Sequence, residues 1–313
     1  MKRLPILFFF AAFLLVLPWG AFSGFSWAQT RLHPERVPWE HLRYRSKNMV
    51  VTLTAEMRLQ ALPAPQVQAV LLKSPRGTPL TASAPETLHL TLDMMIDFAF
   101  RNPVNISNKV WFNPNDAAAL GRFRLRRGED DFEKTYRFTE QGVFRRNREP
   151  QTKEEAKRDP DKWPYVVDTF YPHDPDRLGC PAVTDGLALI YIVSAAESLQ
   201  GSQPLSLCVF GKRQLHRVQL KPHGVQILKV DFIEKKQQAE TRLKGDLKAL
   251  KIALEAAPMA SELDEMENFS FLGLHKNIVI FIDPASNLPL QVTGEISTVG
   301  KATLKLLEVQ LRE

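Results

Sequence analysis

The chain has 313 residues, 44% of them hydrophobic and 24% charged, with a net charge of +6. That balance excludes a disordered chain and supplies enough apolar side chains for a sizeable core. So mild a charge over this length gives no reason to expect a nucleic-acid partner.

Lys2 and Arg3 precede an apolar run from Leu4 to Leu17, and Ser26-Trp27-Ala28 sets small residues at the −3 and −1 positions of a cleavage site. Residues 1–28 therefore read as a secretory signal peptide, cut after Ala28, with a periplasmic destination and no transmembrane segment in the mature chain. An uncleaved anchor is the alternative, because the apolar stretch is long and Trp19 and Trp27 suit an interface. No cysteine stands near the cut, so a lipoprotein anchor is not available.

Residues 29–41 carry prolines and no periodicity, and are expected as a mobile N-terminal arm before a single β-rich domain over 42–313. A long strand is expected over Leu42–Gln60 and a short one over Val67–Leu72. Leu88, Leu90, Leu92, Met94, Ile96 and Phe98 alternate with polar residues, which predicts a strand with one buried face. Asp93 and Asp97 share the wetter face about 13 Å apart at about 3.3 Å per residue, too far to share a proton or an ion. Asp116 is expected to cap a helical turn over residues 117–119.

Arg122-Phe123-Arg124-Leu125-Arg126 sets three arginines on one face of a strand. Guanidinium forks match phosphate oxygens, so Arg122, Arg124 and Arg126 form a candidate anion-binding face. The alternative is a solvated face paired with Glu129, Asp130, Asp131 and Glu133. Phe132–Phe144 predicts a hairpin about Gln141-Gly142, Thr152–Glu155 a capping box, and Trp163–Pro172 an irregular aromatic segment. His173, Asp174 and Asp176 could surround a cation, but the stretch lacks the second His or Cys that a metal site needs, so a turn-rich loop is expected.

Asp185 begins the clearest helix, about 15 residues to Leu199, apolar over most of its surface and therefore buried. The strand Leu205–Phe210 returns alongside it and carries Cys208 back towards Cys180. In an oxidising compartment this geometry favours a Cys180–Cys208 disulfide over two buried thiols. Turns at Gly211-Lys212 and at Pro222-His223-Gly224 are expected to bound a strand over Gln214–Leu220. His216 and His223 are expected as surface or internally satisfied side chains. Residues 239–256 keep helical spacing, yet Lys244-Gly245-Asp246 is a turn signal inside them.

After a polar, acidic loop over residues 258–271, three strands close the chain: Ile278–Ile282, Leu288–Val292 and Ala302–Leu311. In the last, the apolar parity switches between Leu306 and Leu307, as a β-bulge requires.

The order of these pieces resembles the bacterial exported family of domain of unknown function 3108. The resemblance is carried by Thr135–Phe138, Asp185–Tyr191, Val209–Arg213, Gly245 with Ala249–Ile252, Ile280–Asp283 and Asn287–Leu290, and covers about residues 130–313. It implies a mainly β protein with a few helices: a strongly curved, open barrel-like antiparallel sheet covered by one buried helix. It also implies a hairpin about Gly245 within residues 239–256, and it brings no established activity.

No Gly-x-Ser-x-Gly, His-Glu-x-x-His or Cys/His signature is present, so catalytic residues, a metal and a cofactor are all expected to be absent. The expectation is a non-enzymatic periplasmic protein that binds an apolar or lipid-like ligand, or an envelope component, against its curved sheet. The alternative is an interaction protein of the envelope using sheet edges or the Arg122/Arg124/Arg126 face.

Overall fold

The computed structural model describes residues 31–259, 269–296 and 300–312. The expected signal peptide and its cut lie outside these residues, as does most of the acidic loop over 258–271. The strands are β1 (Trp39–Lys47), β2 (Val51–Pro63), β3 (Glu86–Phe98), β4 (Val104–Phe112), β5 (Ala119–Arg127), β6 (Phe132–Thr139), β7 (Gly142–Glu149) and β8 (Tyr165–Pro172). They continue as β9 (Val183–Asp185), β10 (Leu205–Phe210), β11 (Leu215–Lys236), β12 (Ala239–Pro258), β13 (Lys276–Ile282), β14 (Pro289–Ile296) and β15 (Gly300–Leu311). The helices are α1 (Ala64–Val70), α2 (Lys153–Ala156), α3 (Pro175–Leu178), α4 (Leu189–Ala195) and α5 (Glu197–Gln200).

All fifteen strands of the described residues lie in one sheet, in the order β8-β7-β6-β5-β4-β3-β2-β1-β15-β14-β13-β12-β11-β10-β9. Pairings are antiparallel except β9–β10 and a short contact of Ile233–Lys235 with Glu308–Gln310, which joins β11 to β15. That contact makes β11 to β15 a ring of successive neighbours. The β9 edge curls back until Asp185 meets Arg122 of β5. The mainly β, strongly curved, barrel-like sheet with one enclosed helix is therefore present.

Alternation decides which side faces inward. Leu53, Ala55, Met57 and Leu59 of β2 and Leu88, Leu90, Leu92 and Met94 of β3 are buried, while Asp93 and Asp97 are exposed on the other side. Every residue of α4 is buried inside the curve. A helix of two turns does not persist alone in water. Here each enclosed large aliphatic side chain stabilises by about 1.5–3 kcal/mol relative to exposure. Trp39 Nε1 donates to Ser194 Oγ at 3.1 Å and Tyr191 Oη donates to the Pro114 carbonyl at 2.6 Å, which fixes the helix between the two sides of the curl.

The outer face is covered in two places. Arg137 is fully buried there and donates to the carbonyls of Leu120 at 2.6 Å and Leu80 at 2.7 Å. This holds α1 over a small cluster of Val67, Leu71 and Leu120. Further along, Trp163 is buried beside the Arg127 guanidinium, and its Nε1 donates to the Glu155 carbonyl at 2.9 Å.

Several expectations are corrected. The lead before β1 packs down from Leu32 instead of standing off as an arm, with Leu32 and Val37 buried. Leu42–Gln60 is two strands, β1 and β2, because Asn48 Oδ1 accepts from the amides of Val50 and Val51 and turns the chain. Val67–Leu72 falls in and just after α1, whose Val67 and Leu71 lie four apart on its buried side. Asp116 caps no helix: its carboxylate accepts from the Ala118 amide in a turn with Ala117 at φ 55, and β5 starts at Ala119. Trp163–Pro172 contains the regular edge strand β8.

The Asp185 cap is present, its Oδ1 accepting from the Leu187 amide at 2.8 Å, but it opens a 3-10 turn before α4. The helix breaks at Ala196, whose backbone is extended, so the 15-residue reading divides into α4 and α5. Residues 239–256 are strand, yet no hairpin turns at Gly245, which sits opposite Val230 within β12 while the chain reverses between Lys236 and Ala239. Likewise Pro222-His223-Gly224 is a bulge inside β11, with His223 and Gly224 absorbed in the register shift and Gly224 at φ 80.

Candidate ligand-binding site

The inward face changes character across four adjacent strands. Leu53 of β2 and Leu92, Met94 and Ile96 of β3 give an apolar floor; Ile106 and Asn108 of β4 are mixed; Arg122 and Arg124 of β5 are cationic. The registers Leu53↔Ile96, Met94↔Ile106 and Asn108↔Arg124 set these side chains on one side of the sheet. A cavity of about 150 Å³ lies over them. Its far wall is Gly186-Leu187 at the start of the enclosed helix, Gly211-Lys212 after β10, the turn Phe269–Gly273, and Ile296. Its lining is mixed, with Leu53, Leu92, Met94 and Ile96 at one end and Asn108, Arg122, Arg124, Asp185 and Lys212 at the other.

Arg122 is not part of a solvated face. It is 6% exposed, and its Nη1 donates to Asp185 Oδ2 at 2.7 Å while its Nη2 donates to the Gly211 carbonyl at 3.0 Å. The guanidinium lies 3.7 Å from the centre of the Tyr136 ring. Burial opposes its charge, but Tyr136 and Asp185 outweigh that and hold its pKa above the ordinary arginine value. Asp185 thus uses one oxygen to cap the helix and the other to tie it to β5. The expected partners of the arginine face divide otherwise: Arg126 reaches Asp130 at 3.9 Å, and Glu133 points to the outer side, where Arg148 donates to it at 2.8 Å.

Arg124 Nε donates to Asn108 Oδ1 at 3.3 Å and its guanidinium lies 5.9 Å from the Phe132 ring centre. Two further cations share this face. Lys134 is the cross-strand partner of Arg124, with its ammonium 3.9 Å from the Phe132 ring centre. Arg145 is the cross-strand partner of Tyr136, donates to Thr169 Oγ1 at 3.2 Å, and lies 5.2 Å from the Tyr171 ring centre. The alternation Phe132, Lys134, Tyr136, Phe138 was the available signal for Lys134; no local pattern sets the register of β7 that brings Arg145 in. Arg146 points away and makes a two-point pair with Asp168 at 2.9 Å.

Cys180 and Cys208 form a disulfide with 5.8 Å between Cα atoms, anchoring the approach to β9 on β10. Among the described residues no group of three or more His, Cys, Asp or Glu side chains could hold a metal ion. His173 is held by its backbone, its amide donating to the Gln141 carbonyl, and burial lowers its pKa to about 4. His216 is buried edge-on to the Phe269 ring at 5.6 Å, whereas His223 is exposed at the β11 bulge. No helix of the described residues is long and apolar enough to cross a membrane.

No family model matches the chain, and no curated protein matches it. Among solved structures it is similar to a beta-barrel-like protein of domain of unknown function 1849 from Brucella abortus. The TM-score is 0.41 at 8% identity, over 88% of this chain and 98% of that one.

Proposed function

We propose that the protein is a non-enzymatic binding protein of the periplasm that holds an apolar or lipid-like ligand against the inward face of its sheet. The observation that carries this reading is the cavity over Leu53, Leu92, Met94 and Ile96, where a packed core would otherwise be closed. Export accords with the N-terminal sequence pattern and with the Cys180–Cys208 bond, which an oxidising compartment maintains. Membership of the family of domain of unknown function 3108 is part of the proposal and rests on the residue strings that resemble it.

Native mass spectrometry of protein purified from its own envelope fraction tests the reading. The expected result is a bound species that is lost on delipidation, after which the uncharged fluorophore N-phenyl-1-naphthylamine binds in its place. Protein that carries nothing and leaves the fluorophore dark would overturn it.

A second reading, an interaction protein of the envelope, draws on the free edge of β8, where Tyr165 and Val166 are 47% and 48% exposed. Such an edge can accept a partner strand. Cross-linking in envelopes with Val166→Glu should remove edge-dependent adducts; an identical set of adducts removes the edge from consideration.

A further inference from the structure

We infer that the adjoining ends of the β1–β2 and β3–β4 hairpins dock on a phospholipid bilayer and set the apolar end of the cavity against it. This rests on the reading of the cavity as the site of an apolar ligand and adds the surface from which that ligand enters.

The first observation is two apolar stripes that do not stop where burial stops. On β2 the inward residues are Leu59, Met57, Ala55, Leu53 and Val51, and the same parity runs past the strand to Met49. On β3 they are Leu90, Leu92, Met94, Ile96 and Phe98, and the same parity runs on to Phe100. Burial falls along the second stripe: Leu92 and Met94 are buried, Ile96 and Phe98 half-buried, and Phe100 is 91% exposed. Met49 is fully exposed and Val50 is 49% exposed. A turn that meets only water favours Gly, Pro, Asn, Asp and Ser, not the continuation of a core stripe.

The second observation is that the two turns form one projection. Val51 pairs with Phe98, and beyond that pair the Ala99 amide donates to the Val50 carbonyl at 3.0 Å. Apolar side chains scattered singly over a surface are ordinary. Here three are gathered on two turns tied by a backbone hydrogen bond. The third observation is position. Leu53, Ile96, Ile106 and Ile296 line the cavity, and each lies within three residues of its strand's end on this side. Phe100 is about 13 Å along the chain from Ile96 at about 3.3 Å per residue, so insertion of the projection brings the apolar lining close to the headgroup layer.

The flanks fit a bilayer. Lys47 and Arg101 are exposed and border the three apolar side chains. Their long stems let the charges reach headgroups while the apolar tip enters the acyl boundary. Asp97, the acid nearest in sequence, belongs to the outer side of β3. Glu129, Asp130 and Asp131 occupy the β5–β6 turn and bound the patch on that side. A soft surface accepts a convex projection, whereas a protein partner must supply a pocket of matching shape.

Flotation with vesicles of equal parts phosphatidylethanolamine and phosphatidylglycerol tests this. The unaltered protein should float with them. Phe100→Ser and Met49→Ser should each weaken binding about tenfold, since each removes the burial of one large apolar side chain. Val70→Ser, on the exposed side of α1 at the other end of β2, should change nothing. Phe100→Trp should be quenched by brominated phosphatidylcholine added to the same vesicles, beyond the quenching of the unaltered protein. Without vesicles, N-phenyl-1-naphthylamine should bind Phe100→Ser and Met49→Ser as it binds the unaltered protein, because neither side chain lines the cavity. Either serine variant suffices if the other fails to fold.

Protein that does not float, or flotation that both serine variants leave untouched, overturns the docking surface; the cavity reading stands if the fluorophore still binds. Self-association that Phe100→Ser abolishes, without flotation, assigns the projection to a second copy and also overturns it. Flotation through Met49 and Phe100 with a dark fluorophore overturns the cavity reading and the entry route together.

Discussion

A guanidinium with no access to water needs a fixed anion, and Arg122 has one in Asp185. Removing one partner of such a pair leaves a buried charge, at a cost of about 3–5 kcal/mol. Asp185→Asn keeps an oxygen for the helix cap, so its urea midpoint should fall by the loss of the charge alone. Adding Arg122→Met to it should restore much of the stability, and the double-mutant cycle measures the coupling.

A second residue predicts the acid limit. His89 stacks on Trp111 at 4.9 Å, and burial, with Lys109 adding, lowers its pKa from 6.5 to about 4. Between those values the unfolded chain binds a proton that the folded chain does not, so stability falls as pH drops through that window. His89→Phe keeps the stacked ring and should flatten the acid limb of stability measured between pH 6.5 and 4.

At this scale the sequence was half legible. Alternation placed Arg122, Arg124 and Arg126 on one face. It could not show that Arg122 points at a carboxylate 63 residues away, because the curl that joins β5 to β9 has no local signature.

The elements follow the same division. The disulfide was legible because a short return from helix to strand limits where Cys208 can go. Closing its 28-residue separation should stabilise by about 3.5 kcal/mol, and Cys180→Ala with Cys208→Ala should lower the unfolding free energy by that amount. Two thiols should alkylate only after reduction.

The bulge in β15 was also legible. Arg43 pairs with Glu308 and Tyr44 with Leu306, so Leu307 is the extra residue that keeps both Leu306 and Val309 buried. Deleting Leu307 should turn Val309 outward or force a slip, and no cooperative melting transition is expected from that variant. The β11–β12 ribbon was not legible, because glycine in a strand and glycine in a turn read alike. Gly224 bulges and Gly245, with nothing within 4 Å of a would-be Cβ, sits in open space at φ 147.

The whole molecule depends on a seam between its first and last strands. Leu42 faces Val309, and the Arg312 amide donates to the Pro38 carbonyl at 2.8 Å. β15 also serves β14 and β11, so it satisfies three neighbours at once. Truncation before Gly300 should leave three unpaired backbones and yield aggregated material by size-exclusion chromatography. The curvature that makes this possible follows from strand twist accumulating over many strands, which alternation within any one strand does not report.

The seam also sets a clock. One side of β1 pairs with β2, its neighbour in sequence, but the other pairs with β15, about 250 residues further on. A hairpin forms in microseconds, whereas the β1–β15 pairing waits for that distant strand to arrive. Closing so long a loop adds little extra entropy cost, since each doubling of length costs only about 0.6 kcal/mol. The interval in which β1 stands half-paired is therefore governed by how soon the distant strand β15 reaches it, not by the strength of any contact in the finished sheet.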